Sequence, residues 1–84
     1  MTKEEIISKL TTIVKPYVHN EEGFKNINED TDFIKDLDIN SANLVDIILD
    51  VEDEFEIAID NDSMEQMMSV KATVAIIQAK IKGG

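Results

Sequence analysis

Apolar residues recur at helical spacing through most of the chain, and the places where the spacing breaks divide it into elements. Ile6, Ile7, Leu10, Ile13, Val14, Tyr17 and Val18 fall on one face of an amphipathic helix. Thr2 ahead of that face, with Glu5 three positions on, forms a capping pair that satisfies backbone donors left free at a helix start. The pattern predicts a helix from about Lys3 to Pro16 or slightly beyond, because a proline ring removes a donor and clashes with the preceding turn. From His19 to Asn40 no helical period is sustained, yet Phe24, Ile27, Phe33, Ile34, Leu37 and Ile39 are too apolar for a solvated linker. A connection far longer than the usual ~4–6 residues is expected to wrap the core as a packed loop, with room for a short helical turn starting around Asp30, Thr31 and Asp32.

The period returns after Asn40, an effective N-cap, and predicts a second helix from Ser41 to about Phe55. Leu44, Ile47, Ile48, Val51 and Phe55 form its inward stripe, Asn43, Asp46, Asp50, Asp53 and Glu54 face outward, and Val45, Leu49 and Glu52 lie at the border. The following Glu56 to Asp60 alternates like a strand but has no partner strand, so a loop is expected. Asp60 to Met68 reads as a short helix with Met64, Met67 and Met68 inward. A last helix begins near Ser69 and carries Val70, Val74, Ile77 and Ile81; Lys80 and Lys82 suit its negative end, and Gly83 can cap it. The expected fold is an all-α bundle of three main helices plus one short helix, with a long first loop, in a single domain spanning residues 1–84.

Composition narrows what such a bundle can do. With 84 residues the chain can bury one small core but not a deep enclosed active site. Its 43% apolar content argues against disorder. It has no cysteine, hence no disulfide framework, thiolate metal site or thiol nucleophile of its own. No apolar run approaches the roughly 18 residues of a membrane span, and the amphipathic start is unlike a signal peptide; a soluble, unprocessed cytoplasmic protein is expected.

The net charge of −10 is unevenly spread. Between Asn28 and Glu65 there are 14 acidic residues against the single base Lys35, while the remainder has 4 acidic residues against 7 lysines. Such a field repels nucleic acid and anionic lipid and speeds encounter with basic protein surfaces.

Among the four serines, Ser8 lies within the first helix, Ser69 reads as an N-cap, and Ser63 is followed by too little sequence to make a docking surface. Ser41 differs because it opens the acidic helix, where unpaired N–H groups and the helix dipole favour an anion. A phosphodiester on its oxygen is tolerated there for the reason phosphates settle at helix N-termini. No histidine lies nearby in sequence; the only one, His19, is in a polar loop. Without a base, Ser41 is better suited to accept a group from another enzyme than to act as a nucleophile itself.

The segment from Phe33 to Val70 resembles an acyl carrier protein. The features that carry the resemblance are Phe33-Ile34, Asp36-Leu37, Asn40-Ser41-Ala42 opening the acidic helix, and Glu52-Asp53-Glu54-Phe55 closing it. The rest of the chain matches in pattern. The resemblance implies that Ser41 receives 4′-phosphopantetheine from coenzyme A through a phosphopantetheinyl transferase, and that acyl groups ride on that arm as thioesters to fatty-acid or related biosynthetic enzymes. It implies a carrier and not an enzyme, and a cysteine-free chain can then serve thiol chemistry because the thiol arrives on the prosthetic group.

The same resemblance makes Asp46, Asp50, Glu52, Asp53 and Glu54, with Leu49 as an apolar contact, a docking face for basic partner surfaces. It makes Ile48, Val51, Ile59, Met64, Met67 and Met68 candidates for lining an acyl pocket, where methionine adapts its shape; the alternative is plain core. A monomer is expected. Asn40 stands where the family usually has aspartate, Ala42 where it has leucine, and Asn43 where it often has an acid. These departures suggest a specialised carrier and bear on which transferase recognises it.

Other readings remain open at this level. A peptidyl or D-alanyl carrier would share the serine and the fold, and only the acidic second helix favours acyl traffic. An acidic helical adaptor, or a protein binding divalent cations diffusely, would carry no prosthetic group. Asp36, Asp38 and Asn40 alternate like the start of an EF-hand, but Ser41 and Ile47 occupy the positions of its glycine and bidentate glutamate. The terminal Gly83-Gly84 is shared with strand-rich ubiquitin-like carriers, which the helical periods here do not fit.

Overall fold

The computed structural model describes residues 2–83, with side chains through Ile81. The expected charge of Lys82 and the terminal diglycine lie outside the described side chains. In order, the elements are α1 (Lys3–Val14), a 3-10 turn (Lys15–Tyr17), α2 (Glu21–Lys25), α3 (Ser41–Phe55), α4 (Asn61–Gln66) and α5 (Val70–Gly83). The described residues contain no strand, only an isolated antiparallel bridge between Asp32 and Ser69.

Thr2 caps α1 as its sequence suggests: Glu5 N–H donates to Thr2 Oγ1 at 3.2 Å, and Thr2 Oγ1 donates to Glu5 Oε1 at 3.3 Å. Pro16 ends the α-helix without disorder. The chain tightens into the 3-10 turn, where proline occupies a first-turn position that needs no intrahelical N–H. Tyr17 and Val18 then pack half-buried against the core.

The long first connection is packed, as expected, and contains one helix that the apolar period does not reveal. Five residues, Glu21–Lys25, are too few for a period to show. The polar signal is Asn20, whose Oδ1 accepts from Gly23 N–H at 3.2 Å and whose Nδ2 donates to the Asp36 carbonyl at 2.9 Å. The turn expected near Asp30 to Asp32 forms without becoming a helix. Asp32 Oδ1 accepts from the N–H groups of Ile34 and Lys35, both at 2.9 Å, and Asp36 Oδ2 accepts from Asp32 N–H at 2.7 Å.

This loop buries Phe33, Leu37 and Ile39 against Ile6, Leu10 and Val14 of α1, the inward stripe of α3, and Val70, Val74 and Ile77 of α5. All five predicted inward residues of α3 are buried. Helix α1 packs on both α3 and α5, and α4 on α5. The Glu56 to Asp60 segment is loop, as expected. Ser69 caps α5 by accepting from Ala72 N–H at 3.2 Å.

Two details of this packing give measurable consequences. Gly23 faces the Asp36 carbonyl so closely that a Cβ would collide with it. Gly23→Ala is expected to destabilise by about 1–3 kcal/mol, read as a lowered midpoint in thermal unfolding. Thr73 is fully buried on α5, and among the described residues its hydroxyl has no hydrogen-bond partner. Removing an unsatisfied buried hydroxyl at nearly constant shape recovers its desolvation cost, so Thr73→Val should raise stability by about 1 kcal/mol, or roughly 4–8 °C in Tm.

Candidate functional site

Asn40 sets the start of α3. Its backbone is extended, its Oδ1 accepts from Ala42 N–H at 2.9 Å, and its carbonyl accepts from Asn43 N–H at 2.8 Å. Ser41 is therefore the first helical residue, and its side chain is exposed. Among the described residues its hydroxyl makes no hydrogen bond, so no base is joined to it and it lacks the arrangement of an activated nucleophile. The first turn of α3 carries no acidic residue, which leaves the positive end of the dipole uncompensated.

The acidic face follows along the same helix. Asp46, Leu49, Asp50, Asp53 and Glu54 are exposed, and Leu49 is joined by Val45, with relative exposures of 56% and 48%. The pattern of the sequence placed Val45 at the border, and its exposure makes the face more apolar than the charges alone suggest.

Several of the acids also have work within the fold. Asp50 Oδ2 accepts from the Tyr17 hydroxyl at 3.2 Å, tying the 3-10 turn to α3. Desolvation, together with the hydrogen bond to Asp50 and the charges of Asp50 and Asp46, holds the Tyr17 phenol above its ordinary value of 10.0. Glu54 lies 3.9 Å from Lys9. Glu52 is half-buried and turns towards the next loop, where its Oε2 accepts from Ile59 N–H at 2.8 Å. Asp46 and Asp53 have no side-chain partner among the described residues.

The six residues proposed to line a pocket divide by burial. Val51, Ile48 and Met67 are core, and Ile59 and Met64 pack half-buried against them. Met68 departs from the inward position expected for it, with 38% of its surface exposed. Helix α4 ends at Gln66, and Met67 adopts φ −82° and ψ 58°, so Met68 does not continue the helical face. Its carbonyl instead accepts from Phe33 N–H at 3.0 Å. An open groove of about 590 Å³ lies elsewhere, lined by Glu56, Ile57, Ala58, Ser63, Ile76, Ala79 and Lys80, and it shares none of the six residues.

Residues 9–77 match the family model described as a phosphopantetheine attachment site. The chain is 34% identical over 79 residues to the acyl carrier protein of Lactobacillus acidophilus, covering 94% of this chain and 96% of the relative. The chain belongs to the acyl carrier protein family. It is 31% identical over 80 residues to the acyl carrier protein of Thermotoga maritima, covering 95% of this chain and 96% of that one. To the acyl carrier protein of Coprothermobacter proteolyticus it is 33% identical over 81 residues, with 96% of each chain covered.

As an acyl carrier protein it is a carrier and not a catalyst, and its prosthetic group is covalently attached 4′-phosphopantetheine. The start of α3 fits that group: an exposed hydroxyl stands at the N-terminus of a 15-residue helix whose first turn has no carboxylate to repel a phosphodiester. Among the described residues no helix of the carrier is long and apolar enough to cross a membrane.

Beside the groove, Asp60 joins the α3–α4 loop of the carrier to α5. It accepts from Ser63 Oγ at 2.6 Å and from Lys80 Nζ at 3.0 Å. These two hydrogen bonds, Ser63 first, lower its pKa from 3.8 to about 2. A depressed folded-state value means the stabilisation is present above pH 3.8 and is lost as pH falls through about 2. Asp60→Asn should therefore lower Tm at neutral pH, with the difference from wild type closing as thermal unfolding is repeated down to about pH 2.

Proposed function

We propose that Ser41 is the residue to which 4′-phosphopantetheine is attached, and that this single-domain chain carries acyl groups between enzymes of fatty-acid or related biosynthesis. The observation that supports the reading best is the exposed Ser41 hydroxyl at the start of α3, in a first turn free of acids. When bound, the group supplies a thiol on a flexible arm, on which acyl groups are held as thioesters. Asn40 holds the backbone so that the hydroxyl projects from the helix end, and the helix dipole favours the phosphodiester charge.

Asp46, Asp50, Asp53 and Glu54 then attract basic partner surfaces, beginning with the phosphopantetheinyl transferase, while Leu49 and Val45 give them an apolar contact. Exposed charge pairs contribute little affinity each, so docking is fast and easily reversed, as a shuttle requires. Glu52 serves chiefly to fasten the α3–α4 loop. Ile48, Val51, Ile59, Met64 and Met67 shelter the carried chain by local repacking, which unbranched methionines allow at low cost. The carrier works as a cytoplasmic monomer. Its strongly acidic α3 favours acyl traffic over the peptidyl and D-alanyl types.

Intact mass measured after incubation with coenzyme A and a broad-specificity phosphopantetheinyl transferase tests the assignment. Wild type should gain one phosphopantetheine and Ser41→Ala none. No gain on wild type, or an equal gain on the variant, would overturn it.

A further inference from the structure

Among the described residues two polar side chains are buried with the core, those of Thr31 and Thr73. Thr31 Oγ1 accepts from Asn28 N–H at 2.8 Å and so holds a turn of the first loop. The Thr73 hydroxyl has no such task. A threonine within a helix has a ready acceptor in the carbonyl four residues back. Both threonines of α1 use it, Thr11 Oγ1 donating to the Ile7 carbonyl at 2.7 Å and Thr12 Oγ1 to the Ser8 carbonyl at 3.1 Å. In α5 the Ser69 carbonyl accepts from Thr73 N–H at 3.0 Å but not from the Thr73 hydroxyl. The residue lies on the buried face that carries Val70, Val74 and Ile77.

An unpaired hydroxyl in an apolar core costs stability that a valine of the same shape recovers. The unloaded carrier therefore gains nothing from it. A fully buried donor and acceptor without a partner calls for one that the chain does not itself supply.

Its place in the bundle says which part of a cargo it meets. Helices α3 and α5 run in the same sense: Asp60, just past the end of α3, accepts from Lys80 Nζ near the end of α5 at 3.0 Å. At the other end, Val70 N–H donates to the Thr31 carbonyl and Phe33 N–H to the Met68 carbonyl, both at 3.0 Å, in the loop that leads to Ser41. Thr73 is one turn into α5, about 5 Å along the axis from Val70, and hence towards the Ser41 end of the core. Met67, ahead of the same turn, is buried there and can change shape to make room.

We propose that Thr73 determines cargo specificity: its hydroxyl hydrogen-bonds an oxygen on the third carbon of the carried chain, so that 3-hydroxyacyl and 3-oxoacyl chains are sheltered better than saturated ones. The inference rests on the reading of Ser41 as the attachment residue and of the core as the shelter. A chain that enters tail first keeps its thioester end nearest the attachment, which matches the position of Thr73. The threonine hydroxyl donates to a keto oxygen and either donates to or accepts from a hydroxyl, so it serves both oxidation states.

The test loads wild type, Thr73→Val and Thr73→Ser from octanoyl and from 3-hydroxyoctanoyl coenzyme A with a broad-specificity phosphopantetheinyl transferase, complete loading being checked by intact mass. Thermal unfolding of each is compared with the same protein loaded from unacylated coenzyme A. In wild type the 3-hydroxyoctanoyl chain should raise Tm at least as much as octanoyl. In Thr73→Val it should fall behind octanoyl by roughly 4–8 °C, and Thr73→Ser should restore the wild-type order. Nuclear Overhauser contacts of the Thr73 methyl in loaded wild type should fall at and beside the third carbon of the chain. The same difference between the two chains in wild type and Thr73→Val, no restoration by Thr73→Ser, or contacts confined to the far end of the chain overturns the proposal. No rise in Tm with either chain in any of the three proteins instead overturns the core as shelter, and failure to load wild type overturns the reading of Ser41; either result removes the basis for this one.

Discussion

A connection that buries Phe33, Leu37 and Ile39 must find a partner for each backbone N–H and C=O it withdraws from water, and the rest of the molecule depends on how it does so. Asn20, Asn28 and Asp32 supply side-chain oxygens to backbone donors in the three turns of the loop. The remaining needs are met across the core: Phe33 N–H reaches the Met68 carbonyl, while Val70 and Lys71 donate to Thr31 and Glu29. These bonds hold the loop against α5 and deliver the chain to Asn40 in the extended conformation a helix cap requires. Ser41 thus stands at the end of a rigid approach rather than a loose one.

The acidic helix combines two demands that pull against each other. The docking role proposed for this helix needs unpaired carboxylates, yet a small bundle with this much negative charge repels itself. Helix α3 meets both by dividing its acids. Asp50 and Glu54 reach Tyr17 and Lys9 of the N-terminal segment, and Glu52 holds Ile59, while Asp46 and Asp53 stay open to solvent. Pairs at the surface stabilise only slightly and can be exchanged for a partner's basic groups at small cost. Val45 and Leu49 among them add an apolar component that does not weaken with salt.

The helices with a sustained apolar period were legible in the sequence because burial of one face dictates residue type every three or four positions. That holds for α1, α3 and α5, and for the capping residues Thr2, Asn40 and Ser69, whose short polar side chains have few other reasons to precede an apolar run. Helix α2 was not legible by this route, since one turn gives no period and only Asn20 marks its start. Met68 was misplaced because the period was extended past Gln66, where the backbone leaves the helix.

The sequence by itself determined an all-α bundle, an uneven charge, and a serine at the head of the acidic helix, because these follow from local pattern and composition. Tertiary structure alone decided which carboxylates are free, that Asp38 is held in left-handed backbone, and that Gly23 must lack a side chain opposite the Asp36 carbonyl. Those properties depend on what lies across the core from each residue. That geometry is set by packing and hydrogen bonding between segments distant in sequence, which no local pattern records.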